Sequence, residues 1–323
     1  MIYTECPLFK LKSKKVLKHL LNIENNKLTK QTYISSLISP YIDTSSKPRL
    51  IEPPRKELKT VQKKIKNLLG TIVVPDNVFS GVKGRSYADN AFMHTDMKPR
   101  NLFKIDLTAF FPSINRDTVY RFFLEDLLCS PDVAQILTNL TTIDLKRSKA
   151  SDISSIYAFL DSKKISCYNH LISGAPTSQL LSYLVNHHMF DEIQRVADSN
   201  QMTMTIYVDD VTFSSKHHIS NDFKNKILAI IKKYNYQISK RKVKSYTKLY
   251  PKLVTGVIID SSGKSVIKNS MRYKIIREYS HLLDTPDDTA SRQRLRGLLI
   301  AARQVDKYAF PTIFNFTFSK NKL

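Results

Sequence analysis

Residues 202–215 read MTMTIYVDDVTFSS, and no other stretch limits the possible fold so sharply. Alternating apolar and hydroxyl-bearing residues suit a β-strand, whereas Asp is depleted from strands. Yet Asp209 and Asp210 stand side by side near its middle. A single continuous strand would have to hold two like charges there. The conflict disappears if residues 206–208 end one strand, residues 211–213 begin its return, and both carboxylates occupy the tight turn between them. Taken alone, an acidic pair in a hairpin turn is ordinary.

A third carboxylate changes its meaning. NLFKIDLTAFFPSI, residues 101–114, reads as a strand that ends in an aromatic pair and a proline, with Asp106 inside it. Three carboxylates on neighbouring strands repel one another unless a cation lies between them. Hard divalent ions with oxygen ligands, magnesium above all, meet that need. Two such ions can activate an attacking oxygen and stabilise a leaving one.

The charge balance names a class of partner. Lys and Arg number 51 against 28 Asp and Glu, a formal charge of +23. That excess implies a polyanion, nucleic acid first. No basic amphipathic helix stands isolated enough to favour a membrane surface, and the apolar runs are too short to span a bilayer. Cys6, Cys129 and Cys167 are scattered, odd in number and without metal-ligand spacing. With no signal peptide read, they suit a reduced, cytoplasmic setting.

The 323 residues suffice for two or three packed units. Residues 11–38 read as two short Lys- and Leu-rich helices. Prolines keep the chain extended to about residue 56, after which Leu58, Val61, Ile65, Leu68 and Leu69 form a helical face. Residues 79–94 read as a Gly-containing loop entering a short helix, and RDTVYRFFLEDLLC as an amphipathic helix. Residues 142–165 are polar and read as an exposed loop around KRSKASDISS. A turn and one long helix follow, then the acidic hairpin, another helix, a basic strand, the strand PKLVTGVIID, and a basic helical C-terminal region. The order is that of a split βαβ layout: an α+β fold whose antiparallel sheet is backed by helices on one face.

IYVDDVTFS resembles the YxDD signature of reverse transcriptases. KIDLTAFFPSI resembles their preceding carboxylate motif, SGAPTS their QGAPTSP turn, and KPRLIEPPRKELKTVQ their fingers motif. NAFMH matches the NAxxH element of retron reverse transcriptases, and LVTGVII their VTG element. The resemblance runs from end to end. It implies a right-hand polymerase with an N-terminal helical region over 1–40, fingers over 41–100, a palm over 101–260 with an insertion at about 130–170, and a helical thumb over 261–323. Three positions depart from the pattern: Ser173 stands for Gln, Gln179 for the final Pro, and Val208 for the usual Ala. They alter the pocket around template and nucleotide and leave the chemistry intact.

The resemblance also implies roles. Asp106, Asp209 and Asp210 bind two magnesium ions and carry catalysis, with the third the most peripheral. Phe111 lies under the incoming sugar and selects deoxynucleotides, while Phe110 belongs to the core because strand alternation lets only one ring face the site. Arg49 meets the triphosphate, where a guanidinium fork suits phosphate, with Lys47 a weaker candidate. Gly174 and Ala175 let a base pair approach the backbone. Lys242 either protonates the leaving pyrophosphate or contacts a phosphate, among Lys240, Arg241, Lys244 and Lys248. Lys56, Asn90, His94, Tyr207, Arg292 and Arg296 are assigned to RNA and DNA, with fold support the alternative for Asn90 and His94.

The implied function is RNA-directed DNA synthesis primed from a guanosine 2′-hydroxyl of a cognate non-coding RNA, giving branched msDNA. The implied partners are that RNA, deoxynucleoside triphosphates, a cellular RNase H and an effector protein acting in anti-phage defence, with no membrane. Two alternatives stand beside this. One is a defence or group II intron-like reverse transcriptase with other priming, against which the NAxxH and VTG elements argue. The other is a catalytically silent RNA-binding scaffold, which would have little reason to keep three mutually repelling acids.

Overall fold

Leu17 and Leu21 recur at helical spacing and the Ser13 hydroxyl caps a free N–H group. The chain therefore starts with α1, Lys14–Leu21, in the computed structural model, which describes residues 1–45, 47–238 and 242–318. A 3-10 turn, Asn26–Thr29, leads to α2, Gln31–Ser36. Strands β1, Tyr41–Asp43, and β2, Arg49–Ile51, pair antiparallel. Just past the prolines, α3, Lys56–Leu69, buries Leu58, Val61, Ile65 and Leu69 and leaves its lysines outside. Helix α4, Tyr87–Phe92, opens with a capping box between Ser86 and Asp89.

The central strand β3, Asn101–Asp106, is followed by α5, Phe110–Ser113, and α6, Arg116–Arg121. Helix α6 runs on through a π turn, Phe122–Asp126, to α7, Pro131–Thr141. Strand β4, Thr142–Asp144, helix α8, Ile153–Ser162, and strand β5, Asn169–Leu171, come next. They precede α9, Ser178–Leu184, α10, His187–Ser199, and the hairpin of β6, Thr203–Tyr207, with β7, Asp210–Ser215. Helix α11, Asn221–Lys233, leads to β8, Lys244–Tyr246, then β9, Lys252–Val254, β10, Val257–Ile259, and β11, Ser265–Val266. Three helices end the described chain: α12, Asn269–Asp284, α13, Thr289–Val305, and α14, Pro311–Phe318.

The sheet that carries the acidic motifs has the order β6-β7-β3-β8 and is antiparallel throughout. Side-chain alternation gives it two chemically different faces. Met204, Ile206, Val211, Phe213, Phe103 and Ile105 share the apolar face and are buried. Helix α11 covers that face by pressing Phe223 edge-on to Phe213 at 5.3 Å and to Phe103 at 6.5 Å. Each such ring contributes about 1.5–3 kcal/mol by burial. The opposite face is polar, with Thr203, Thr205 and Tyr207 beside Ser214, Thr212 and Asp210, and these beside Leu102, Lys104 and Asp106. Near Leu102 it is closed by α4, β9 and β10 through a separate apolar cluster. The Asp106 end has no such cover from that cluster.

Five expectations need correction. The strand expected over 101–114 stops at Asp106: Ala109 takes a left-handed φ of 45° and the next residues wind into α5. Pro112 fits there because the first turn of a helix needs no N–H from it. In the acidic hairpin, β6 ends at Tyr207, so Val208 and Asp209 form the turn and Asp210 is already in the return strand. Residues 142–165 hold β4 and α8, whose buried Ile156 and Leu160 supply the apolar face that the polar composition hid. PKLVTGVIID is a hairpin, since Thr255 and Gly256 have φ of 44° and 97° and reverse the chain. The long helix after SGAPTS breaks at Asn186, whose amide donates back to the Ser182 carbonyl while its own carbonyl accepts from Tyr236.

The N-terminal strands are tied to the rest by a buried acid. Glu52 follows β2 and is fully buried; its N–H donates to Ser173 O at 2.7 Å. Its carboxylate accepts from Ser173 N at 2.6 Å and meets His170 Nε2 at 2.9 Å. The Ser173 hydroxyl adds a bond to Leu50 O at 2.8 Å. In contrast, α12 and α13 have their own core of Ile275, Leu282, Leu295 and Leu299. Truncation of one partner of a buried pair costs about 3–5 kcal/mol, so Glu52→Ala is expected to lose that much in urea denaturation. A loss below about 1 kcal/mol, the worth of an ordinary hydrogen bond, would mean that Glu52 is not the tie.

Candidate active site

The tight turn at residues 207–210 is built under strain. Tyr207 pairs with Asp210, leaving Val208 and Asp209 as a two-residue loop. Hairpins of this kind need a positive φ, and Val208 supplies it at 57°. A β-branched residue is disfavoured there by roughly 1–2 kcal/mol. What holds the turn is pairing on both sides. Asp106 sits directly opposite Asp210 across the β3–β7 ladder, and Leu107 N donates to Asp209 O at 2.9 Å. All three acids are thereby brought to one end of the sheet.

Their electrostatics reflect that crowding. Burial, then Asp106, then Asp210 push the Asp209 carboxyl up to about 6. Burial also raises Asp210, against the pull of Lys104. Lys104 Nζ lies 2.8 Å from Asp210 Oδ2, and Lys242 is paired with Asp106. The three carboxylates do not close into one tight ligand group: among the described residues, only Asp126, His187 and His188 form a set of three whose ligand atoms all lie within 4.8 Å of one another. At the acidic turn, lysine ammonium groups stand against the acids instead. Asp210 Oδ1 is nevertheless buried with no hydrogen-bond partner. An orphaned anionic oxygen beside two further carboxylates is an all-oxygen donor set, and it fits a hard divalent cation.

The aromatic pair does not lie on a strand, so strand alternation does not separate its rings. Phe110 and Phe111 lie on the helical turn α5, where successive side chains point about 100° apart. Phe110 is buried and packs edge-on to Tyr236 at 5.4 Å, and the Tyr236 hydroxyl donates to Asn186 Oδ1 at 2.7 Å. Phe111 is half-buried, its ring 6.2 Å from that of Phe110.

The expected nucleotide-binding residues are spread over several elements, with Arg49 on β2. Arg49 is exposed and faces Asp43 across β1 and β2. The Lys47 ammonium is held below its usual range by burial and then by Lys242, with Asp106 opposing, so Lys47 belongs to the same cluster. Gly174 has φ of 108°, and a Cβ on it would meet Ile51 Cγ2 at 3.9 Å and Glu52 N at 4.0 Å. The Gly174 turn thus lies along β2, and Ala175 beside it is buried. Tyr207 is half-buried and Lys56 exposed. Lys240 and Arg241 lie outside the described residues.

Two of the expected nucleic-acid contacts, His94 and Asn90, are occupied inside the fold, whereas half-buried Arg292 and exposed Arg296 stack on aromatic rings. His94 is buried between Ser214 Oγ at 2.8 Å and Thr205 Oγ1 at 2.7 Å, and burial depresses its pKa to about 3. It is a neutral clamp on the polar sheet face. Asn90 is buried and donates to Thr255 Oγ1 at 3.2 Å, which joins the NAxxH and VTG elements. The guanidinium of Arg292 lies over Phe316 at 5.4 Å and that of Arg296 over Phe318 at 5.6 Å. Both hold α14 on α13, and the exposed cations of α12 are instead Arg272, Lys274 and Arg277. The residue that sequence reasoning missed is Lys104. Its signal was present in FKID, because a period of two places Lys104 on the face of Asp106.

Residues 28–273 match the family described as reverse transcriptase (RNA-dependent DNA polymerase). Among curated proteins, the chain is 27% identical over 240 residues to the Retron Se72 reverse transcriptase of Salmonella heidelberg, covering 71% of this chain and 56% of that one. It is 26% identical over 239 residues to the Retron Ec86 reverse transcriptase of Escherichia coli, covering 72% and 64%. With the Retron Ec73 reverse transcriptase of Escherichia coli the identity is 24% over 274 residues, covering 81% and 80%. The chain thus spans less than two thirds of the length of the first two relatives.

Asp209 yields a test of the electrostatics. Its folded pKa of about 6 lies above the ordinary 3.8, so ionising it costs stability. That penalty is absent below about pH 4, develops between about pH 4 and 6, and is complete above. Without divalent metal, Asp209→Asn is therefore expected to be the more stable protein at pH 7.5, by on the order of 2 kcal/mol, and to lose the advantage near pH 4. Equal melting midpoints for the two proteins at pH 7.5 in EDTA would contradict the assigned crowding.

Proposed function

The chain belongs to the reverse transcriptase family of RNA-dependent DNA polymerases, and on that premise we propose that it copies RNA into DNA on the face of Asp106, Asp209 and Asp210, as the polymerase of a retron. The observation that carries this reading is the β3–β7 register, which sets Asp106 opposite Asp210 beside a strained two-residue turn. The sheet of β6, β7, β3 and β8 serves as palm, β1, β2 and α3 as fingers, and α12 to α14 as thumb.

In this mechanism a primer hydroxyl attacks the α-phosphorus of a deoxynucleoside triphosphate. A new oxygen–phosphorus bond forms, the bond to the β-phosphate oxygen breaks, and pyrophosphate leaves. Two magnesium ions, held by Asp106 and Asp209 with Asp210 at their edge, would supply charge neutralisation and a more acidic primer hydroxyl. The chain's own residues do the positioning. Asp209 must be ionised to serve as a ligand, and its raised pKa makes that depend on pH above the usual carboxylate range. Arg49, on the strand β2 that Glu52 fixes to the Gly174 turn, and Lys47 just before that strand hold the triphosphate by charge. Lys242, paired with Asp106 in the free protein, is placed to turn toward the leaving pyrophosphate once that charge is shared. Phe111 walls the sugar pocket, and buried Phe110 and Tyr236 prevent it from sinking away.

The same reading extends to the primer. As part of the same proposal, a 2′-hydroxyl of a guanosine in a cognate non-coding RNA is the start point, branched msDNA is the product, and an effector protein acts with it in defence against phage; the NAFMH and LVTGVII elements support this retron reading. The exposed cations of α12 provide phosphate contacts along a duplex, whereas unpaired loops and stem shape of the RNA supply selectivity.

Replacing both Asp209 and Asp210 by Ala is expected to abolish primer extension on RNA with magnesium and to leave RNA affinity nearly unchanged. Extension at the wild-type rate by the purified double variant would sink the assignment. Phe111→Ala is expected to raise ribonucleotide relative to deoxynucleotide incorporation by about tenfold or more. Phe110→Ala should instead cost about 3–5 kcal/mol of stability. The opposite pattern of sugar choice would mean that the ring roles are reversed.

A further inference from the structure

A second cluster of ligand-type side chains lies away from the acidic turn, where α6 meets α10. Asp126 ends the π turn that follows α6, and His187 and His188 open α10. His187 Nε2 is 2.9 Å from Asp126 Oδ1, and His188 Nε2 is 3.8 Å from the same oxygen. All three ligand atoms fall within 4.8 Å of one another. In a tetrahedral site with bonds of about 2.0–2.1 Å, ligand atoms stand about 3.3 Å apart, so these separations bracket what one ion requires.

The surroundings are those of a prepared site. His187 Nδ1 faces Asp191 Oδ2 at 3.4 Å, one helical turn on. A carboxylate on the far nitrogen of a ligating imidazole fixes the ring and raises its basicity, as in zinc sites. The two imidazoles lie 3.8 Å apart at a 41° tilt. Adjacent helical residues do not normally share a direction. A plain ion pair accounts for His187 between Asp126 and Asp191 but gives no reason for His188 to turn in. The His188 side chain is 72% exposed, which leaves an entry path. The Tyr3 hydroxyl, which senses Asp126 and Asp191, is also buried with no hydrogen-bond partner.

We propose that Asp126, His187 and His188 form a site for one first-row divalent ion of the zinc class, with Asp191 as the positioning residue for His187. Two imidazoles and one carboxylate suit zinc, whereas magnesium prefers all-oxygen surroundings. The ion clamps the start of α10 to the π turn. The residue just before His187 is Asn186, which receives the Tyr236 hydroxyl and so supports Phe110. The site thus stiffens the floor under the aromatic pair without taking part in chemistry.

The test is calorimetric titration of Zn²⁺ into untagged, chelator-stripped full-length protein in excess Mg²⁺, with thermal melting alongside. One equivalent of zinc is expected to bind and to raise the melting midpoint by several degrees. His188→Ala, an exposed change, should abolish that equivalent and the thermal shift while leaving the zinc-free midpoint and primer extension unchanged. Asp191→Asn should retain the stoichiometry and weaken binding about 10–100-fold. No zinc uptake by the wild-type protein would overturn the proposal and leave His187 as a simple bridge between two acids. Uptake of equal stoichiometry and affinity in His188→Ala would overturn it as well.

Discussion

One cross-strand pairing governs the candidate site: Asp106 of β3 directly faces Asp210 of β7. Like charges opposite one another destabilise a ladder, and here the next residue in the turn, Asp209, is a third acid. The fold tolerates the pairing because two lysines share its charge. Lys104 reaches Asp210 from within β3, and Lys242 reaches Asp106 from the chain leading into β8. The raised pKa of Asp209 is the part that these cations leave uncompensated. A polyanionic substrate arriving with its cations would meet a site already poised between repulsion and neutralisation.

The surrounding layers make that pairing rigid. On the apolar face Phe103, Phe213 and Phe223 interlock. On the polar face a neutral His94 bridges β6 and β7 by two short hydrogen bonds. The aromatic contact holds the β3–β7 register and the His94 bridge the β6–β7 register, and a slip of one residue in either would send every side chain to the wrong side. The cationic strand β2 is fastened independently through Glu52 to the Gly174 turn. The C-terminal helices pack on a core of their own. Across to α4 they offer one hydrogen bond, from the Tyr87 hydroxyl to Ala301 O at 2.8 Å.

Much of this was legible in the primary sequence where the signal was local. The acidic hairpin over residues 202–215 was legible from its pattern, and the helical spacing in α3 places Leu58, Val61, Ile65 and Leu69 inside. Failures came where local pattern and packing disagree. The polar stretch 142–165 hides α8 because only Ile156 and Leu160 of that helix are buried. VTG lies inside an apparent strand, although Thr255 and Gly256 reverse the chain. The aromatic pair after Asp106 looks like strand, yet left-handed Ala109 converts it to a helical turn.

By itself, the sequence determined the strands and helices of the sheet, the faces their side chains occupy, the place of the acidic turn and the basic character of the surface. Those properties depend on periods of two or 3.6 residues and on summed charge, which are written within short windows. Only the tertiary structure decided which groups are spent on one another. His94 is consumed by Ser214, Asn90 by Thr255, Glu52 by His170, and Asp106 meets a lysine 136 positions away. Each of these hydrogen bonds joins residues more than a hundred positions apart. No local window records such a meeting, because burial and partner choice are set by how the layers close, and a polar side chain reads the same in sequence whether it is free or taken.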